Sequence, residues 1–241
     1  MTDSSLFKPA VYDREKFAAP WPNHFIDRMG VDPSLVGQFR QAVDDACDER
    51  AIQVFLTQAP VLLAHQILGG GHGRWVFAKP RLGSEVIPDF MLCGMDSDGY
   101  HWTLVELENP RYPALTQSGE QSAKLTHAIG QVKDWRIWLR KNCGYAQNQL
   151  GFVQLDAEFR GIVILGRRRD LNPDHQEHYR ELSRDNITVM SYDRLLAVTA
   201  GAAKAQIQPV ESSQNGESGA RIAKAEAGSD SLSDPGEEQG G

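Results

Sequence analysis

Three carboxylates interrupt two otherwise apolar runs. Asp89 lies in Pro88-Asp89-Phe90, and Glu106 and Glu108 end Trp102-Thr103-Leu104-Val105-Glu106-Leu107-Glu108. The second run is apolar at consecutive positions, as in a central strand covered on both faces. Between the two lies Asp96-Ser97-Asp98-Gly99, a turn signal that makes them neighbours in a hairpin. Unpaired carboxylates are costly to bury, so a fold built on this hairpin must give them a partner. Glu106 and Glu108 are two apart, which places both on one face of the strand. Directly opposed side chains of an antiparallel pair stand about 5 Å apart, which brings Asp89 within reach. Hard oxygen ligands of this kind suit Mg²⁺ or Mn²⁺, which keep waters for a phosphate and a nucleophile. Such a metal usually serves phosphodiester chemistry. A plainer reading is equally open from these residues alone. Glu106 and Glu108 then mark the solvated end of a strand before Asn109-Pro110, and Asp89 makes turn or salt-bridge contacts.

The elements around the hairpin predict an α/β sandwich with a mixed sheet. A helix is expected from Ser34 to about Thr57, and a short one after Pro60. Strands are expected at Trp75-Val76-Phe77-Ala78-Lys79, from Ile87 to Cys93, from Trp102 to Leu107, from Phe159 to Leu165 and from Ile187 to Ser191. Further helices are expected over 120–142, from Pro173 to Ser183 and from Asp193 to Thr199. Gly69-Gly70-Gly71-His72-Gly73 lacks the following Lys-Ser/Thr of a phosphate-binding loop and reads as a turn.

On the long helix, Lys124, His127, Gln131, Trp135 and Trp138 recur along one side of the apolar stripe. Tryptophans at that spacing serve core packing as readily as function. A polar row containing Gln131 and Lys124 beside a carboxylate site is also what positioning a phosphate and a water requires.

Asp89, Glu106-Leu107-Glu108 and Gln131-x-x-x-Trp135 together resemble the PD-(D/E)XK nuclease superfamily. More narrowly, five segments are similar to the Shedu (SduA) C-terminal nuclease domain family. They are Phe55-Leu56-Thr57-Gln58-Ala59-Pro60, Leu82-Gly83-Ser84, Pro88-Asp89-Phe90, Trp102 to Pro110, and Leu125 to Trp135. The resemblance covers roughly residues 45–195. It implies a restriction-endonuclease-like α/β core and a metal-dependent endonuclease acting on DNA in bacterial defence against phage. It also implies a homo-oligomer. Asp89 and Glu106 match the two metal-binding acids. The third position, usually lysine, is Glu108 here, so Lys124 or Lys79 is expected to supply the cation. Superfamily members often add a glutamate from the first helix, and Glu49 is the matching choice. Because of Glu108 a second function stays open: a catalytically weak module that binds nucleic acid or a partner protein as a sensor.

The net charge of -7 does not exclude nucleic acid. Residues 205–241 hold seven acids and two bases, net -5, which leaves 23 bases and 25 acids, net -2, in residues 1–204. Lys133 and Arg136 on the long helix, and Arg167 and Arg168 after the fourth strand, are candidate phosphate contacts. The predicted organisation is an N-terminal arm and helix over 1–44, a nuclease domain over 45–200 and a disordered acidic tail over 201–241. Three cysteines without a C-x-x-C pair suit a reducing compartment, and the residues after Met1 lack the basic and apolar regions of a signal peptide. A cytoplasmic protein with no membrane span is therefore expected.

Overall fold

The turn at Asp96-Ser97-Asp98-Gly99 forms as expected in the computed structural model, which describes residues 14–27 and 30–207. Asp96 pairs with Gly99, the Asp96 carboxylate accepts from the Asp98 backbone N–H at 2.9 Å, and Gly99 takes φ 115°, a conformation that favours glycine. The tail expected at 201–241 lies outside the described residues from position 208 onward, as do residues 1–13 of the arm.

A short helix α1 (Arg14–Ala18) is followed by α2 (Pro33–Asp45), α3 (Glu49–Gln58) and α4 (Val61–Ala64). The single helix expected from Ser34 to Thr57 is thus two. Ala46 leaves helical geometry (ψ 128°), and Asp48 caps a new helix by accepting from the Ala51 N–H. The first cap is Asp32, whose carboxylate accepts from the Ser34 N–H, so Ser34 lies inside the helix.

Five strands follow: β1 (Gly73–Ala78), β2 (Phe90–Asp96), β3 (Gly99–Leu107), β4 (Arg160–Ile164) and β5 (Ile187–Met190). They stand in the sheet in sequence order. The first three are antiparallel, and β3–β4 and β4–β5 are parallel. The crossover between β3 and β4 carries α5 (Ala123–Asn148). It is capped by Ser122 and kinked at Asn142, whose amide donates to the Trp138 carbonyl. Between β4 and β5 stands α6 (Gln176–Arg180), entered through one 3-10 turn at Pro173–His175. The last helix, α7 (Tyr192–Ile207), runs past the expected end at Thr199. Its alanine-rich second half favours helix, and Ala203 is buried.

Alternation along the strands separates two apolar layers. Val76, Leu92, Val105, Leu107 and Ile162 face α2, α3, α4 and α7, while Phe77, Met91, Trp102, Leu104 and Val163 face α5. Even-numbered positions of β3 therefore look toward α5, and Glu106 continues that row. The Trp75 indole donates to the Ala18 carbonyl at 3.0 Å, and Ile26 bonds to Arg74, which holds the described part of the arm on β1.

One close approach fixes a residue type. A Cβ added at Gly94 of β2 would lie 2.0 Å from the Leu68 carbonyl oxygen. Gly94→Ala is expected to lower the unfolding free energy by about 2–4 kcal/mol, since backbone rather than a flexible side chain must move. Urea denaturation measures this, and an unchanged midpoint would show that the Leu68 segment yields freely.

Candidate active site

The acids sit at the C-terminal end of β3, between an antiparallel and a parallel neighbour. Phe90 pairs with Val105, so the next position of each chain sets Asp89 opposite Glu106. Asp89 lies just before β2, not within a strand that begins at Ile87. Its side chain substitutes for a strand partner: one oxygen accepts from the Leu107 backbone N–H at 2.7 Å. The other oxygen is ion-paired with the Lys79 ammonium. Lys79 follows β1 in a left-handed conformation (φ 47°), and its backbone N–H donates to the Asp89 carbonyl at 2.9 Å. The turn-out of the chain at Lys79 thus aims its ammonium back at Asp89.

Glu108 stands one residue beyond β3, and its N–H still donates to the Ile164 carbonyl of β4 at 2.9 Å. The buried Tyr192 hydroxyl donates to the Glu108 carbonyl at 2.8 Å, which fixes the strand's exit. Asn109 and Arg111, just after, donate to the Cys47 and Ala46 carbonyls at 2.7 and 2.8 Å. These bonds tie the break between α2 and α3 to the exit of β3 and bring Glu49, first residue of α3, into the electrostatic surroundings of Glu108. From α5, Gln131 acts on Glu106 and favours its ionised form. Lys124 and His127 act on Glu108, and the Lys124 ammonium also lies 5.3 Å above the Tyr112 ring. Trp135, on the same side of α5, is core.

Asp89, Glu106 and Glu108 are all buried. Burial, then the charge of Asp89, pushes the Glu106 carboxyl up to about 9; Glu108 adds to this, and Lys79 and Gln131 oppose it. Glu108 is raised as well, by burial first, with Lys124 opposing and Glu49 reinforcing. Metal-free protein therefore holds a proton on Glu106 across a range where the unfolded chain, with a value of 4.5, has released it. Where the folded state binds more protons, stability falls as pH rises. The fall begins near the unfolded value of 4.5 and ends near the folded value of about 9. In EDTA, the urea midpoint of the wild type is expected to drop between those limits more steeply than that of Glu106→Gln. Parallel slopes would disprove the assignment.

The pair fits a divalent cation through its chemistry: two buried, directly opposed carboxylates repel each other, and one of them is left protonated. Among the described residues no group of three or more His, Cys, Asp or Glu is placed to hold an ion. Glu49 and Glu108 therefore do not join Asp89 and Glu106 in a four-acid set. Mg²⁺ is commonly held by one or two carboxylates, with waters and substrate oxygens completing its shell.

Two candidate phosphate contacts are engaged elsewhere. The Arg167 side chain is only 6% exposed and donates to Asp193 through Nε and Nη2 and to Asp44 through Nη1. Arg136 clamps α5 to the start of β5, donating to the carbonyls of Asp185, Asn186 and Phe159 at 2.6, 3.1 and 3.3 Å. Both guanidinium groups are structural. Lys133 and Arg168 are exposed. Sequence reasoning missed Asp44 and Asp193 as the partners of Arg167; the contacts are long-range and leave no local pattern.

A mixed five-stranded sheet flanked by helices, with an acid pair where its antiparallel and parallel halves meet, defines an α/β protein with its candidate site at the junction of the two halves. A family model described as Shedu protein SduA, C-terminal, matches residues 46–196. The chain belongs to that family. Among solved structures, that of the restriction endonuclease FokI bound to DNA matches with a TM-score of 0.35 at 14% identity, over 73% of this chain and 28% of that one. The chain thus spans less than a third of that protein's length, and at that TM-score the match alone assigns no fold. No curated protein matches the chain. No helix among the described residues is long and apolar enough to cross a membrane.

Proposed function

We propose that this chain is a Mg²⁺- or Mn²⁺-dependent endonuclease domain that hydrolyses DNA phosphodiester bonds in bacterial defence against phage. The observation that carries this reading is the buried, opposed Asp89–Glu106 pair at the C-terminal end of β3. A divalent ion held there supplies a Lewis acid for the phosphoryl oxygen and an acidified water. The chain's own residues do the rest. Asp89, oriented by the Leu107 N–H, and Glu106, with Gln131 acting on it from α5, would hold the ion. Gln131, one turn before the core residue Trp135, is fixed by the packing of α5. Lys79 and Lys124 replace the charge that lysine brings at the position of Glu108. Lys133 and Arg168 are the exposed bases left to meet the phosphate backbone.

One observation favours the second reading, a sensor that binds without cutting: Lys79 already neutralises Asp89. A supercoiled-plasmid nicking assay with Mg²⁺ or Mn²⁺ decides between them. Cleavage supports the enzyme; DNA binding without cleavage under either metal supports the sensor. Within the enzyme reading, Lys79→Ala and Lys124→Ala are each expected to slow nicking by about tenfold or more, as loss of a charge near the reacting phosphate does. If both variants nick at the wild-type rate, neither lysine supplies that charge.

A further inference from the structure

A cavity lies away from the acid pair, and none of the three acids lines it. It has a volume of about 1120 Å³ and opens between residues 113–117, the C-terminal ends of β4 and β5, α6 and the first turns of α7. Leu115, Leu165, Leu171 and Val189 give it an apolar wall. Its charge is one-sided. Its two acids are engaged, Asp193 with Arg167 and Asp170 with Arg169. Arg168, Arg180 and Arg194 also line it; Arg168 and Arg194 donate through their backbone N–H groups to Asp193 and Ser191, and none of the three guanidinium groups makes an ion pair or hydrogen bond among the described residues. The Tyr179 hydroxyl, enclosed in the wall near Ser191, makes no hydrogen bond of ordinary geometry. A concave site with an apolar wall and a few convergent polar groups is the usual form of a small-molecule pocket. Three unpaired guanidinium groups select an anion, and they match phosphate oxygens in fork geometry.

We propose that this cavity binds a nucleoside phosphate, its ring against Leu115, Leu171 and Val189 and its phosphate among Arg168, Arg180 and Arg194. The size favours this over a bare anion, because phosphate alone would leave the apolar wall unfilled. The site is separate from the acids yet mechanically close to them. Residues 113–117 belong to the connection from Glu108 to α5, which the Ser122 N–H closes on the Ala114 carbonyl at 2.9 Å. A bound ligand braces that connection and with it the placement of Lys124 and Gln131. The proposal depends on neither cleavage nor metal.

The test titrates ATP, AMP, adenosine and inorganic phosphate into the full chain by calorimetry. EDTA keeps the acid pair metal-free. ATP or AMP is expected to bind and to raise the melting temperature, with adenosine and phosphate each weaker. Arg180→Ser and Arg194→Ser, both on exposed positions, should each weaken nucleotide binding by about tenfold, as loss of a charge-assisted contact does, without lowering the melting temperature of the unliganded chain. Asp89→Asn should bind nucleotide like the wild type. Ala197→Phe, entering the cavity from the exposed side of α7, should abolish binding. No binding of ATP or AMP at millimolar concentration overturns the proposal. So does binding of a 5′-phosphorylated oligonucleotide, but of no mononucleotide, when Arg180 and Arg194 account for it. Phosphate binding as tightly as AMP would overturn the assignment of the ring.

Discussion

Asp89→Asn and Glu106→Gln are each expected to reduce plasmid nicking in Mg²⁺ by about 1,000-fold or more, while the protein stays folded. A metal ion stabilises the charge of a phosphoryl transition state by several kcal/mol, and each 1.36 kcal/mol is tenfold in rate. Both substitutions keep shape and remove one negative ligand. In Asp89→Asn the remaining carbonyl oxygen of the side chain would still accept from the Leu107 N–H. Lys79, whose side chain is 49% exposed, would find water in place of its partner, so the loss of that ion pair costs about 1 kcal/mol or less. Glu106→Gln should raise stability in EDTA, because it removes a carboxyl that burial and Asp89 disfavour in ionised form. Activity and stability then move in opposite directions, a common mark of functional residues. Plasmid nicking beside thermal denaturation reads both. A folded Glu106→Gln that cuts at the wild-type rate would remove the acid pair from the mechanism.

Arg167→Met should lower the unfolding free energy by about 2–3 kcal/mol. The substitution keeps much of the stem and removes a guanidinium that holds two acids, Asp44 from α2 and Asp193 from α7. Breaking a fully buried pair from one side costs about 3–5 kcal/mol. The two carboxylates retain 38% and 26% exposure, so water recovers part of the loss. The same residue separates two roles. As a clamp, it changes the urea midpoint and leaves the salt dependence of DNA binding alone. As a phosphate contact, it would reduce the slope of log affinity against log salt by about one. An unchanged midpoint with a shallower slope would reverse its assignment here.

Much of the site was readable because its parts are close in sequence. The acids lie on either side of one turn, and strand periodicity placed Glu106 on the α5 side. The Lys124–Gln131 row followed from helical spacing. Burial of Trp135 followed from the same stripe. What failed did so for physical reasons of two kinds. Local chemistry outweighed periodicity at Ala46-Cys47-Asp48, where Asp48 starts a new helix inside a run that reads as one. A side chain replaced backbone pairing at Asp89, which shortened β2. Long-range pairing did the rest. Nothing near Arg167 announces Asp44 or Asp193, and nothing near Arg136 announces the carbonyls it meets before β5. A run of three arginines looks alike whether it faces solvent or pins two helices. The cavity is invisible in sequence for the same reason, being walled by segments that meet only in three dimensions.

The identity of strand order and sequence order has a consequence for how the molecule comes into being. Each strand of the sheet docks on the one made just before it, so the sheet can grow outward during synthesis without threading an earlier element. The Asp89–Glu106 pair needs only the β2–β3 hairpin, and Gln131 arrives with the next helix. The cavity needs β5 and α7, the last described elements to emerge. A nascent chain therefore carries its acid pair before it can close the separate chamber. Any restraint that depends on that chamber comes last, and a chain stalled before β5 would hold the hairpin's acids without it.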